Sequence, residues 1–410
     1  MTVIKTDVVV VGGGIVGAAI ACGLSLGGIQ TVLVEGRVPQ REWADDSLAD
    51  LRVSALTQAS KNILENLSCW RGVEKRGVTP YREMKIWDCA ANGELHFDGA
   101  DVGGDILGHI VENRVTVASL WDALEQNESA TIISPARVTA LDNGKEQARL
   151  ILDDGRVVEA ELVVAADGRE SMVRTMAGIA VNGWEYDHSG LVATVRPEKW
   201  HNETCYQRFL SDGGILAFLP ISDGTCSIVW STERGHAKEL LALDDKAFLK
   251  ALTAASDNLL GEIAEVGPRG AFPLKLQYAS PYSKGRVVLA GDAAHALHPL
   301  AGQGANQGLL DSGSLIELLL EAHKEGRPLA SQQTLRRYER WRKSDNYMMM
   351  GAMDGLKKGY GASFSPIAQL RSMGMNFVDK TVPLKNLFTR YAMGSHADMP
   401  ALSKSGLAGL

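Results

Sequence analysis

The sequence predicts an α/β protein: a mostly parallel sheet carrying helices, a second sheet inserted into the chain, and a helical region at the C-terminal end. Three observations predict it. The chain opens with a valine run, a glycine loop and a small-residue helix; residues 184–275 alternate at the period of strands; and residues 331–410 lose that alternation and turn basic. At 410 residues, 45% hydrophobic and 22% charged, the chain can bury a large core.

Asp7 to Val11 reads as a short buried parallel strand, β-branched and ended by glycine. Residues 15–28 read as a helix and Gln30–Glu35 as a second strand, which completes a βαβ unit. Within it Gly12 permits a tight turn, Gly14 lets backbone approach a pyrophosphate, and Gly17 lets helix and strand pack closely. Glu35 lies 18 residues beyond Gly17, near the spacing of an acid that accepts from a ribose hydroxyl. A glycine triplet alone is weak; with strand, helix and acid in place it points to a Rossmann-like dinucleotide site.

Later segments extend that sheet. Leu150–Glu161 reads as a hairpin turned at Asp154-Gly155, and Leu162–Ala166 as a strand ending at Asp167-Gly168. Arg286–Ala290 is a further buried-type strand entering Gly291-Asp292, with a helix expected from near Gly304 through Glu325. Between them, Leu191–Val195, Thr204–Phe209, Gly214–Pro220 and Cys226–Ser231 read as an antiparallel sheet overlaid by a helix at Asp245–Ala255. An inserted sheet beside a dinucleotide domain leaves a crevice where small molecules bind.

Composition narrows the function. With 42 Lys/Arg against 49 Asp/Glu the net charge is −7, which argues against a nucleic-acid partner. Five widely spaced cysteines form no CxxC pair, which fits a reducing cytoplasm and structural roles rather than a disulfide scaffold or a metal site. The N-terminus runs straight into the glycine loop, so no signal peptide is expected, and no apolar run reaches a bilayer's thickness. The expectation is cytoplasmic, with attachment to a membrane surface and self-association left open. Residues 331–410 hold 12 Lys/Arg and five Asp/Glu, including Arg336, Arg337, Arg340, Arg342 and Lys343 ahead of Met348-Met349-Met350 and Met353. Such a stretch meets an acidic lipid surface or a partner helix, or else its arginines face water while its methionines pack on its own domain.

These segments together resemble a known family. Gly12–Gly17, Asp50-Leu51-Arg52 with Ala55-Leu56, Leu107–Asn113, Asp167-Gly168 with Ser171 and Arg174, Phe272-Pro273-Leu274 and Gly291–Asn306 with Asp311 beyond are similar to those of the class A flavoprotein aromatic hydroxylases. The nearer likeness is to the ubiquinone-biosynthesis hydroxylase branch, over nearly the whole chain. The resemblance implies a para-hydroxybenzoate-hydroxylase-like fold: a Rossmann-like FAD-binding domain, an inserted antiparallel-sheet substrate domain and a helical C-terminal region. The division that follows is FAD-binding parts at 1–75, 106–183 and 276–330, substrate-domain strands at 76–105, a substrate-domain sheet at 184–275 and C-terminal helices at 331–410.

The activity implied is hydroxylation of a polyprenylphenol ring in ubiquinone biosynthesis, with FAD, NAD(P)H as transient reductant, O₂ as co-substrate and a flavin C4a-hydroperoxide as oxidant. A lipophilic prenylated phenol, the inner membrane and other ubiquinone-biosynthesis proteins are the implied partners. Carried over residue by residue, Gly12, Gly14 and Gly17 surround the FAD pyrophosphate, Glu35 holds the adenosine ribose, and Arg52 reaches the phosphates. Asn113 and Asp167 lie near the cofactor, and Asp292 accepts from the ribityl hydroxyls. Pro299, Gly302, Gly304, Ala305 and Asn306 form the loop and helix start beside the isoalloxazine, and Arg174 supports a phosphate or the loop itself. No second glycine fingerprint for NAD(P)H is found, and NADH against NADPH stays open. No catalytic base announces itself. His295 and His298 are read as cofactor-loop structure rather than a metal pair, and His201 as a core or surface histidine before a substrate-lining one. A hydroxylase of small soluble aromatics and a non-catalytic flavoprotein scaffold remain as alternatives.

Overall fold

The computed structural model describes residues 2–43, 50–89, 93–296 and 303–361, then 377, 379, 381, 385, 394 and 398–406; the side chains of 102, 303 and 347–361 are outside the described set. Pro299, Gly302, His298 and the methionine side chains at 348–350 and 353 therefore lie outside the described residues.

The first sheet runs in the order Ser283–Lys284, Val287–Leu289, Val157–Ala165, Val3–Val11, Thr31–Val34, Ala130–Ile133. Its four central pairings are parallel. Val8, Val9 and Val10 are 0% exposed, which explains an unbroken valine run: both faces of the sheet are covered. The helix Ile15–Leu26 lies against the long helix Gln303–Lys324. A Cβ at Gly23 or Gly27 would run into Ile316 or Leu320 at 2.5 or 2.2 Å, so the small residues of the first helix are what let the two approach. Val138–Asn143 and Ala148–Leu152 form an antiparallel flap on Val157–Ala165, turned by Gly155 at φ +82°.

The inserted sheet has eight strands in the order His295–Ala296, Ile263–Ala279, Val181–Pro197, Cys226–Glu233, Ile215–Pro220, Thr204–Phe209, Glu83–Asp88, Glu94–Asp98. It is antiparallel except where Thr204–Phe209 meets Glu83–Asp88, two segments far enough apart in the chain for the long crossover that a parallel pair needs. The 17-residue strand Ile263–Ala279 was hidden in the sequence by Pro268, Gly270 and Pro273. Leu191, Phe218 and Trp230 of this sheet pack with Phe248 and Leu252 of the helix Asp245–Ala255, whose first turn is capped by Asp244 accepting from Ala247 N.

A three-stranded sheet, Val53–Thr57, Gly108–Glu112 and Thr79–Tyr81, joins the two. Ala55 and Ile110 from it share a small core with Cys205 and Leu219 of the inserted sheet. Cys22, Cys69, Cys205 and Cys226 are buried free thiols and Cys89 is exposed. No helix among the described residues is long and apolar enough to cross a membrane.

Candidate functional site

Register builds the site. Val11 is paired with Val34 on one side and Ala165 on the other, and Ala165 with Leu289. The residues that follow, Gly12, Glu35, Ala166-Asp167 and Ala290-Gly291, therefore line up at the carboxyl edge of one parallel sheet, where ligands of such sheets bind. Further bonds fix the line: Gly12 N donates to Val34 O, Ala166 N to Val11 O and Ala290 N to Ala165 O, at 2.8, 2.8 and 3.0 Å.

Gly12 sits at φ +107° and its Cβ would meet Ala166 O at 2.3 Å, while a Cβ on Gly17 would stand 1.9 Å from Gly12 O. These two glycines hold loop, helix and strand together. Gly14, at the N-terminal end of the helix, has no heavy atom within 4 Å of where its Cβ would be. Its open face and the helix's unpaired N–H groups suit a negatively charged group. Glu35 accepts from Gly13 N at 2.5 Å and Arg37 N at 2.9 Å. Asp167 Oδ2 accepts from Val173 N at 3.2 Å, while its Oδ1 is buried without a hydrogen-bond partner. Asp292 is half-buried and accepts no hydrogen bond from the described residues.

Arg52 is exposed on the segment that enters Val53–Thr57. Its carbonyl accepts from Asn113 N, Glu112 accepts from Asp50 N at 2.7 Å, and Ser54 Oγ donates to Asn113 Oδ1 at 2.7 Å. Leu51 beside it comes within 3.6 Å of where a Cβ on Gly270 would lie, so this segment reaches the inserted sheet. At the start of Gln303–Lys324, Gly304 is open and Ala305 half-buried. Asn306 stands in the first turn of that helix. It is buried, its Oδ1 accepts from Thr57 N and Ser60 Oγ, and its Nδ2 donates to Ala55 O, so its amide binds helix to strand.

Trp121 is a part of the site that the sequence reading missed. It is buried on the helix Asn113–Glu125 and donates from Nε1 to Gly13 O at 2.8 Å, bracing the glycine loop from below. The helical spacing of Val115, Ala118, Trp121 and Leu124 marked that buried face. Arg174 supports the loop itself: its guanidinium donates to Ala293 O and Arg169 O, both at 2.9 Å. His295 Nε2 donates to Asp311 Oδ2 at 2.6 Å, and Asp311 Oδ1 accepts from Arg342 Nε at 2.7 Å. Asp311 is fully buried; burial would raise its pKa, yet His295 and Arg342 outweigh that and hold it at about 2. Arg342 is 0% exposed, which corrects its placement in a basic cluster turned to water or lipid; Arg336, Arg337 and Arg340 remain exposed. His201 is a core residue with both ring nitrogens engaged, by Ile221 O and Glu203 N.

Residues 5–349 match the family described as FAD binding domain. Over 394 residues the chain is 34% identical to 3-demethoxyubiquinol 3-hydroxylase of Escherichia coli K12, covering 96% of this chain and 100% of that protein. It belongs to the FAD-dependent aromatic monooxygenases. It is also 36% identical over 391 residues to ubiquinone hydroxylase UbiL of Rhodospirillum rubrum, covering 95% of this chain and 90% of that protein. Among solved structures, p-nitrophenol 4-monooxygenase PnpA from Pseudomonas putida DLL-E4 shares the fold with a TM-score of 0.79 at 18% identity, over 97% of this chain and 100% of the other.

The residues present fit the flavin cofactor of these monooxygenases. Gly14 and Gly304 leave open backbone at the beginnings of two helices, and Asp167 Oδ1 and Asp292 hold acceptors that no described residue fills. A dinucleotide offers those groups what they lack: phosphates for the helix starts and hydroxyls for the carboxylates.

Proposed function

We propose that this chain is an NAD(P)H- and O₂-dependent monooxygenase that hydroxylates the aromatic ring of a polyprenylphenol intermediate in ubiquinone biosynthesis. The observation that carries the reading is end-to-end similarity, at 34% and 36% identity, to two proteins named as ubiquinone-pathway hydroxylases. In it Gly12, Gly14 and Gly17 cradle the pyrophosphate, Glu35 takes the adenosine ribose through lone pairs left beside Gly13 and Arg37, and Arg52 meets the phosphates. Asn113 and Asp167 border the cofactor, and Asp292 accepts from the ribityl chain. Gly304, Ala305 and the Asn306 backbone, with Pro299 and Gly302 before them, border the ring system.

When bound, the flavin supplies hydride acceptance and activation of O₂. The protein's own part is to fix the cofactor, admit the phenol ring between the two sheets and keep water away from the reacting atoms. Phe272 and Trp184 of the inserted sheet, 49% and 47% exposed, support a lipophilic substrate on that side. The exposed Arg336 and Arg340 support peripheral attachment to an anionic membrane surface. The division into three FAD-binding parts and a substrate domain is supported by Glu83–Asp88 and Glu94–Asp98 joining the inserted sheet.

The test is to mix purified flavin-loaded protein with NADH or NADPH, O₂ and a short-tail prenylphenol, and follow product mass. One oxygen gained on the ring, coupled to NAD(P)H use, is the expected result. Turnover of small soluble phenols in preference to the prenylated one would replace the substrate assignment. Flavin that no nicotinamide reduces, with any phenol present, would overturn the enzymatic reading.

A further inference from the structure

We propose that Asp311 and Arg342 are positioning residues for Asp292: together they set the turn that presents its carboxylate to the cofactor. The inference rests on the reading of Asp292 as an FAD ligand. The turn Gly291-Asp292-Ala293-Ala294-His295 is held at both ends by one carboxylate. Asp311 Oδ2 accepts from Gly291 N at 2.9 Å and engages His295 Nε2 at 2.6 Å. Its middle is held by Arg174 donating to Ala293 O at 2.9 Å. Gly291 sits at φ +58° with Val16 of the first helix 2.9 Å from where a Cβ would be, so the turn has no slack on that side either.

Asp311 is oriented in turn by Arg342. The guanidinium uses all three of its nitrogens: Nε to Asp311 Oδ1 at 2.7 Å, Nη1 to Asp345 Oδ2 at 2.7 Å and Nη2 to Gln307 Oε1 at 3.0 Å. Both Arg342 and Asp311 are 0% exposed. A buried ion pair is a poor way to gain stability over well-packed apolar side chains; what it supplies is defined geometry. Here the geometry converges on the backbone on either side of Asp292, and a planar fork of donors defines it better than an ammonium can. Arg342, on the helix Gln332–Gly361, thereby acts on the cofactor site through Asp311.

A double-mutant cycle on the full chain tests this. FAD affinity is measured by quenching of flavin fluorescence on titration with apoprotein, for wild type, Arg342→Lys, Asp292→Ala and the double variant. The shape of the visible flavin absorption band is recorded for each, and far-UV circular dichroism confirms folding. Arg342→Lys is expected to weaken FAD binding about tenfold, as loss of an orienting outer contact does at ligand sites, and to perturb the flavin band. In the Asp292→Ala background the same substitution is expected to change affinity by less than about twofold, since the effect runs through Asp292. Equal factors in both backgrounds would overturn the proposal, because the substitution would then act through general stability. Unchanged affinity in Arg342→Lys would overturn it as well. If Asp292→Ala alone leaves affinity unaltered, the reading of Asp292 falls and takes the proposal with it; if Asp292→Ala weakens binding and the cycle is additive, the proposal alone falls. Should Arg342→Lys fail to fold, Asp345→Asn releases only the outer side of the guanidinium and runs through the same cycle with the same criteria.

Discussion

Replacing Gly14 by alanine adds a methyl group where no heavy atom lies within 4 Å, on a backbone at φ −71° and ψ −174° that any L residue adopts. Folding has little reason to notice: the lost chain entropy of glycine and the poorer cap of alanine offset to within about 0.5 kcal/mol. Binding has every reason on the proposed site, in which the pyrophosphate approaches the helix start at Gly14, and FAD affinity is expected to fall at least about tenfold, or about 1.4 kcal/mol. Gly17→Ala behaves in the opposite sense. Its Cβ would lie 1.9 Å from Gly12 O, about 1.5 Å short of the 3.4 Å of ordinary contact, and the obstacle is backbone. Helix and loop must separate, at a cost of about 3 kcal/mol or more to the apoprotein as well as to binding. Urea unfolding of both apoproteins and FAD titration of both variants give four numbers. Wild-type FAD affinity in Gly14→Ala, or a wild-type urea midpoint in Gly17→Ala, would refute the assignment of one glycine to the ligand and the other to packing.

Other substitutions follow from single contacts. Trp121→Phe removes the donor to Gly13 O and leaves a carbonyl buried under the glycine loop, which is expected to lower apoprotein stability by about 1–3 kcal/mol in urea titration. Asp311→Asn leaves the buried Arg342 with Asp345 as its remaining anion and is expected to cost about 3 kcal/mol at neutral pH. Because the Asp311 carboxyl is held at about 2 when folded against 3.8 when free, its stabilisation is complete above pH 3.8 and is lost as pH falls toward 2. The urea-midpoint gap between wild type and Asp311→Asn should therefore narrow over that interval. His109 is pushed down from 6.5 to about 4 by burial, with Lys61 adding to it. The folded state thus prefers the neutral ring, and stability falls as pH drops from 6.5 toward 4; His109→Leu should flatten that part of the urea-midpoint profile.

What was legible in the sequence was local. A valine run ending in Gly12-Gly13-Gly14 carries strand, turn and helix within 20 residues, and the structure adds only that the expected helix near Gly304 lies over it, with Ile316 and Leu320 against Gly23 and Gly27. The interrupted strand Ile263–Ala279 was not legible, because its prolines and glycines read as turns and only its partner Val181–Pro197 makes it a strand. The structural contacts of Asn306 were not legible: it stands in a cofactor-loop motif, and its amide bonds residues some 250 positions earlier, a relation no local pattern expresses. Arg342 left a signal that went unused. Leu335, Tyr338, Arg342 and Asn346 recur at helical spacing on one buried face, so the arginine stood in an apolar stripe rather than with Arg336 and Arg340. Its partner Asp311, on another helix, was the part only the fold could supply.

The alignment of the four strand ends also fixes when, during synthesis, the site can exist. Gly12 is made at the outset, but the edge it belongs to is incomplete until Leu289 has paired with Ala165, and the carboxylate that holds the turn beyond is not oriented by Arg342 until that residue has reached Asp311. A nascent chain stopped shortly before residue 342 carries the glycine loop and the Asp311 and Arg174 contacts to the turn opposite it, and lacks the guanidinium that orients Asp311. On the proposed cofactor site, a chain terminated well past the last strand is therefore expected to keep the fingerprint and hold the cofactor more weakly.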